Sequence, residues 1–433
     1  MKLVVIKVLA IAALALVLIV PVSMIQGLVA ERQLRRDEAV SGIAEGWGRQ
    51  QVLSGPYLLV PYEVTRVEIT RETVDGKERE KRVERVEQHV RRIAADSVDW
   101  TLDAAISEKA RGIYKARLYG LKAEAQGRIT LPAGFGIAVT RGQVRLGVPR
   151  LVFGVADPRG IRALSTLTFD ASAHDFKAGS GDTQQTGSGL HAPLPALASP
   201  AQPRSVDFAF SIELGGSQAF ALQPSGADTA VAMRADWPHP SFQGQFLPLR
   251  HEIGPGGFSA SWKISRYAAQ RDEQLAVSFI ETAGLYQQLE RASKYGFLFI
   301  GLTFAAFLLF ELLRRLAIHP VQYALVGLAL AMFFLLLTAL SEHIDFAAAY
   351  GAATLACVGL ISAYLVWVLK SARLGLAFGA ALSALYAMLY ALLRAEDYSL
   401  LGGALLLFGL LAVVMIATRK VDWYELTTKP AQA

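Results

Sequence analysis

Val206-Asp207-Phe208-Ala209-Phe210-Ser211-Ile212-Glu213-Leu214 carries an apolar residue at every second position. Strand side chains alternate between faces, so this pattern predicts a strand with one face on a core and the other in water. The same alternation recurs on either side. Phe258, Ala260, Trp262 and Ile264 alternate with Ser259, Ser261, Lys263 and Ser265, and Leu121, Ala123, Ala125, Ile129 and Leu131 alternate with Lys122, Glu124, Gln126, Arg128 and Thr130. Glycines and prolines separate the runs. Antiparallel sheets packed as a sandwich are the expected architecture.

This alternating region fills residues 31–290 and holds no apolar run near the ~20 residues that cross a bilayer. Such runs flank it, at residues 4–25 on one side and at 296–313, 321–340, 346–369, 374–393 and 400–418 on the other. The expected fold is an α+β membrane protein. An N-terminal transmembrane anchor (1–30) precedes a large β-rich domain (31–290), a five-helix transmembrane bundle (291–420) and a tail (421–433). Residues 177–203 are rich in Gly, Ser, Ala, Pro and Gln and read as a long loop, a candidate boundary between two β subdomains. Residues 63–92 are charged with both signs. Asp75-Gly76 suits a type I′ turn, which predicts a long solvated hairpin; a charged helix over 77–92 is the competing reading. A solvated face is the plain reading of such a charge run, and binding of an acidic partner is the functional one.

Lys and Arg in short loops set orientation. Lys2 and Lys7, Arg314 and Arg315, Lys370 and Arg373, and Arg419, Lys420 and Lys429 fall on alternate connections, while residues 341–345 carry no cation and 394–397 carry one. Both termini are expected in the cytoplasm and residues 31–290 outside it. Arg32, Arg35 and Arg36 oppose this, but they begin a long exported domain, where the rule is weak. A cleaved signal peptide is the alternative for the first run. Its long core and the large residue in Leu28-Val29-Ala30 favour an uncleaved anchor. Cys357 is the single cysteine, so no disulfide staples the outer domain. The net charge of +6 sits largely at helix ends, where it sets topology, and calls for no nucleic-acid partner.

No P-loop, G-x-S-x-G elbow, H-E-x-x-H or paired-cysteine site occurs. No catalytic residue, metal ligand or cofactor is therefore assigned. Four features remain. In Trp237-Pro238-His239-Pro240 two prolines stiffen the backbone. With Phe242 and Phe246 this segment is either a recognition ridge or a structural corner whose aromatics are at least partly buried. Glu342, His343, Asp345, Glu396 and Asp397 fall on two short loops and would form an outer polar rim, or simply solvated helix ends. Glu311 is an acid inside an apolar run, and Arg314 and Arg315 are within helical reach for a local ion pair. Gly375, Gly379, Ser383 and Ala387 recur every four residues and predict a helix-packing seam.

Several strings carry a resemblance. Asp236-Trp237-Pro238-His239-Pro240-Ser241-Phe242-Gln243-Gly244-Gln245-Phe246-Leu247-Pro248, His319-Pro320-Val321-Gln322-Tyr323-Ala324-Leu325-Val326-Gly327-Leu328, Ala339-Leu340-Ser341-Glu342-His343 and Asp422-Trp423-Tyr424 resemble CreD-type inner-membrane proteins of Gram-negative bacteria. Gly112-Ile113-Tyr114 and Arg159-Gly160-Ile161 are shorter matches. The resemblance spans essentially the whole chain. It implies a periplasmic domain between one N-terminal span and a helical bundle, and a role in cell-envelope integrity or envelope stress response. It implies no catalytic residues. The expected function is thus support of the envelope through the β domain, with the lipid bilayer and a periplasmic or envelope protein as partners and the oligomeric state open. A transporter or channel for an envelope component, and an envelope-modifying enzyme, are the alternatives.

Overall fold

The computed structural model describes residues 2–74, 77–138, 142–180, 188–225, 227–268, 273–279, 284–314 and 318–394, with isolated positions between 401 and 419. The chain divides into two compact units. One is Glu38–Glu281; the other joins Met1–Asp37 to Thr282–Ala433.

The Glu38–Glu281 unit is built from strands. Among the described residues they form two nine-stranded sheets. In the Arg204–Ser217 strand Val206, Phe208, Phe210, Ile212 and Leu214 are buried, while Asp207, Ala209 and Glu213 are exposed. Both sheets feed a single core: Leu53, Leu58 and Phe153 from the first meet Trp100, Tyr119 and Phe210 from the second. Each large side chain removed from water contributes about 1.5–3 kcal/mol.

The sheets are mixed, not purely antiparallel as expected. Gln51–Val74 pairs parallel with Ala219–Gln223, and Ser97–Arg111 pairs parallel with Asp228–Ala235. Strands that far apart in sequence need no hairpin, so nothing constrains them to run in opposite directions. Residues 177–203 are also not simply a loop. The Lys177–Ala178 and Gly189–Pro193 strands pair with each other, and the second pairs with Arg150–Val155. A strand of five residues needs only a short apolar contribution, here Ala192 and the following Leu194, which composition over a 27-residue window hides. The charged segment is a hairpin: Gln51–Val74 and Lys77–Ala94 pair antiparallel from Tyr57↔Ala94 out to Val74↔Lys77. The turn residues Asp75 and Gly76 lie outside the described residues.

The other unit is helical. Lys2–Val17 is followed by Ile19–Trp47, whose residues from Glu38 on belong to the first unit, then Leu285–Lys294, Gly296–Arg314, Pro320–Ser341, Phe346–Leu369 and Ala372–Arg394. The N-terminal helix does not stop near residue 30. Glu, Arg, Gln and Ala from residue 30 onward are good helix formers, and it runs on to Trp47, just before Gly48. Pro21 offers no N–H to Val17, which accounts for the interruption at Leu18. His319 caps the Pro320–Ser341 helix: its ring accepts from Val321 N, Gln322 Oε1 accepts from His319 N, and Pro320 fits the first turn. Asp345 accepts from Ala347 N and caps the next helix. Among the described residues four helices are long and apolar enough to cross a membrane, and Gly296–Leu308 is a shorter apolar one. Most of the run at 400–418, and the tail at 421–433, lie outside the described residues.

Candidate functional site

The β unit is tied to helical segments at both of its ends, and buried Gln51, Asp157 and Tyr119 lie where the N-terminal end enters it. At the N-terminal tether, Trp47-Gly48-Arg49-Gln50 leads into the Gln51–Val74 strand. Gly48 has φ +131°, and a Cβ there would lie 2.3 Å from Gly215 O, so the chain can pass only as glycine. Trp47 Nε1 donates to Tyr119 O at 3.2 Å, and its ring lies under the Arg162 guanidinium at 4.5 Å. The Gln51 side chain has no solvent exposure. Its Nε2 donates to Asp157 O and Gly215 O, both at 3.0 Å, and its Oε1 accepts from Asp157 N at 3.2 Å. A buried amide is stabilising only when satisfied in this way.

Asp157 completes the joint. Its carboxylate accepts from the Arg159 guanidinium (2.9 and 3.0 Å), Arg159 N (3.2 Å) and Arg49 N (3.1 Å). Hydrogen bonding from the Arg159 side chain, followed by the two backbone N–H groups, outweighs desolvation and holds its carboxyl down to about 2.

The C-terminal tether leaves from Phe279. Phe279 N donates to Gln218 O at 2.8 Å, and its ring centroid is 5.2 Å from that of Tyr119. The Tyr119 hydroxyl accepts from Gln51 N at 3.3 Å and donates to Ala219 O at 2.9 Å. Burial pushes this phenol above its ordinary range. Two positions earlier on the same strand, Arg117 donates to Phe279 O at 3.1 Å and lies 3.9 Å over the Trp237 ring. Arg117 and Tyr119 thus hold both ends of the unit from one strand.

Trp237 is partly buried and closes on itself, with Nε1 donating to His239 O at 2.7 Å; His239 is exposed. Phe242 and Phe246 are partly buried against the core. Phe242 meets Phe258 and Trp262 edge-on, and Phe246 O accepts from Trp262 Nε1 at 3.1 Å. The stiff proline segment therefore lies beside the C-terminal tether.

In the helical unit Glu311 is buried. It forms an ion pair with Lys7 and accepts from Tyr323 Oη (2.8 Å) and Ile318 N (3.3 Å). The side chain of Arg314, and Arg315 altogether, lie outside the description, so the described partner is Lys7 rather than a neighbour on the same helix. Glu342 is approached by Arg32 Nε at 3.6 Å and accepts from Tyr286 Oη at 3.4 Å, while Gln26 donates to Ser293 O at 3.0 Å. Lys7 and Arg32 are separated by about 37 Å of helix, near the full thickness of a bilayer with its interfaces. The N-terminal segment is thus ion-paired at both ends of its membrane-length stretch.

The polar rim is described only in part. Glu342 is engaged with Arg32, Asp345 is spent as a helix cap, His343 is exposed, and Glu396 and Asp397 lie outside the described residues. Among the described residues no group of three or more candidate ligands could hold a metal. The small-residue stripe divides. A Cβ on Gly375 would come within 2.8 Å of Val366 N and one on Gly379 within 2.1 Å of Ser362 Oγ, so both face the Phe346–Leu369 helix of the same chain. Ser383 and Ala387 are exposed; a four-residue repeat drifts around a 3.6-residue helix and leaves the seam.

Sequence reading missed the joint. Arg159-Gly160-Ile161 was its one visible trace. Gln51 and Tyr119 carry no signal, because a buried amide and a buried phenol are recognisable only by their partners.

Apolar helices on either side of a two-sheet β unit define a multi-pass membrane protein with one large inserted domain. The chain belongs to the CreD family: the model described as "Inner membrane protein CreD" matches residues 3–424. It is 32% identical over 436 residues to Inner membrane protein CreD of Escherichia coli (strain K12), covering 96% of this chain and 93% of that protein. This places it among multi-pass proteins of the bacterial inner membrane. Among solved structures, an M1 zinc metallopeptidase from Deinococcus radiodurans aligns with 42% of this chain and 42% of its own at 10% identity and a TM-score of 0.24, too low to carry an argument.

Proposed function

We propose that this protein supports the integrity of the cell envelope without catalysis, with the β unit in the periplasm, both termini in the cytoplasm, and an envelope component or protein held by the β unit. The observation that carries the reading is the double tether. Both ends of the β unit converge on Tyr119 and its neighbours, so a load or rearrangement at one tether reaches the other through hydrogen bonds and packing. Buried polar groups in this region are committed to holding chain segments. A transporter would have Glu311 as its natural site, but that carboxylate is already engaged by Lys7, Tyr323 and Ile318 N.

In-cell crosslinking from the β unit, in wild type and in Tyr119→Phe, tests the reading. A captured envelope partner, together with detergent sensitivity of cells carrying Tyr119→Phe at normal protein level, is the expected result. Substrate flux in proteoliposomes with no partner captured would replace it by transport. Orientation has its own test in a Cys357→Ala background. Ala201→Cys should react with an impermeant thiol reagent in spheroplasts, and Gln432→Cys should not.

A further inference from the structure

The hairpin formed by Gln51–Val74 and Lys77–Ala94 sorts its charge by face. From Arg66 and Arg85 outward this part is a two-stranded ribbon, and its described side chains, at residues 66–68 and 82–85, are exposed whichever face they belong to. Such a ribbon is marginal by itself. The register Arg66↔Arg85, Glu68↔Val83 and Tyr62↔His89 fixes which positions share a side. One side takes positions Arg66, Lys77, Arg79, Lys81 and Arg85, five cations against Glu68, Glu72 and Glu87. The opposite side takes Glu63, Glu78, Glu80 and Glu84 against Arg71 and Arg82. A linear reading of residues 63–92 sees balanced charge; the period of two separates it.

The basic side is the one with a use for a ligand. Glu87 is already approached by Arg66 (3.9 Å), Arg85 (3.8 Å) and His89 (3.5 Å), three basic groups around one carboxylate. Lys77, Arg79 and Lys81 follow at alternate positions, about 7 Å apart along the strand. Val83, on the same side, is 41% exposed among them. Cations interleaved with an exposed aliphatic side chain are the chemistry of binding at an acidic lipid interface. Both ends of the unit continue into apolar helices, so a lipid surface is present at high effective concentration.

We propose that the basic side of this hairpin docks on a membrane surface of acidic phospholipids. The full chain, reconstituted in phosphatidylcholine nanodiscs, is mixed with vesicles of phosphatidylglycerol and phosphatidylcholine, or of phosphatidylcholine alone, and floated. It should bind the acidic vesicles only, and more weakly as salt rises. Each cation removed should weaken binding about fivefold, so neutralising Lys77, Arg79, Lys81 and Arg85 to Gln should weaken it several-hundredfold. Arg66→Gln with Arg85→Gln, a smaller change that serves if the fourfold variant fails to fold, should weaken it about 25-fold. Glu78→Gln with Glu80→Gln and Glu84→Gln, on the opposite side, should bind at least as well as wild type. Equal binding to both vesicles, or wild-type binding by a folded basic-side variant, would overturn the proposal. So would binding of a soluble polyanion such as dextran sulfate without binding to vesicles, or disc-to-disc association without vesicles, which would point to pairing of two copies.

Discussion

The two tethers of the β unit are built differently. The N-terminal one closes on buried, hydrogen-bonded groups, with Arg49 and Gln50 exposed between them: Gly48 against Gly215, the Gln51 amide on Asp157 and Gly215, and Asp157 on Arg49 and Arg159. The C-terminal one sets a buried Phe279 beside a partly buried Trp237. Beyond the pairing of Leu275–Ser278 with strands on both sides and the Phe279 N–H bond, its side chains engage through ring packing against Tyr119 and through Arg117 between Phe279 O and the Trp237 face. Directional bonds in a dry site fix one geometry, whereas stacking tolerates sliding. The side-chain contacts of the N-terminal tether are thus mainly directional hydrogen bonds and those of the C-terminal tether mainly ring contacts, with Tyr119 common to both.

The harshest way to break this comparison is at Gly48. In Gly48→Ala the new Cβ meets backbone, which cannot rotate away, at a φ that L side chains rarely adopt. Loss of about 3 kcal/mol or more, seen as collapse of the monodisperse yield or of the melting transition, is expected. Normal melting would show that the N-terminal tether is not close-packed.

Trp237→Ala probes the other tether and should cost less, about 2 kcal/mol. A fully buried Trp loses about 3–5 kcal/mol, and this ring is only partly buried, with its stacking on Arg117 adding about 1. A thermal melt of the purified protein measures it, and a loss as large as that of Gly48→Ala would erase the distinction between the tethers.

Asp157 sharpens the comparison through pH. Its folded carboxyl lies at about 2, below the unfolded value near 4, so its contribution of about 2 kcal/mol is complete above pH ~4 and is lost as pH falls toward ~2. Melting temperature against pH should drop across that window in wild type, and the drop should shrink in Asp157→Asn. Tyr119→Phe removes the hydroxyl's bonds to Gln51 N and Ala219 O and should cost about 1–2 kcal/mol in the same melts. His239→Ala is the smallest change. Its exposed ring should be worth no more than about 0.5 kcal/mol, and a larger loss would mean that the proline segment rests on the imidazole rather than on Trp237.

The legibility of each region follows from the range of the interactions that build it. The Arg204–Ser217 strand and the apolar helices were readable because burial imposes a short period on a continuous stretch. The hairpin was readable because Asp75-Gly76 marks a turn. Parallel pairing of Gln51–Val74 with Ala219–Gln223 was not, since no local pattern encodes which distant strand lies alongside. Trp237-Pro238-His239-Pro240 announced a stiff corner, yet its neighbour Arg117 is 120 residues earlier. Glu311 announced a buried charge, but its obvious partners were three and four residues away, and the described one is Lys7 at the other end of the chain.

Sequence by itself determined that this chain lives in a membrane, that a β unit interrupts its helices, which side chains of its three alternating runs face the core, and which family it belongs to. These depend on hydropathy, on periods of two and 3.6, and on strings of adjacent residues. Only the tertiary structure decided that Tyr119 joins both tethers, that Lys7 neutralises Glu311, that Gly375 and Gly379 face a helix of the same chain, and that the mixed charges of the hairpin separate by side. A satisfied buried polar group and a shared face are properties of pairs, and the partner of each residue is fixed only when the chain has folded.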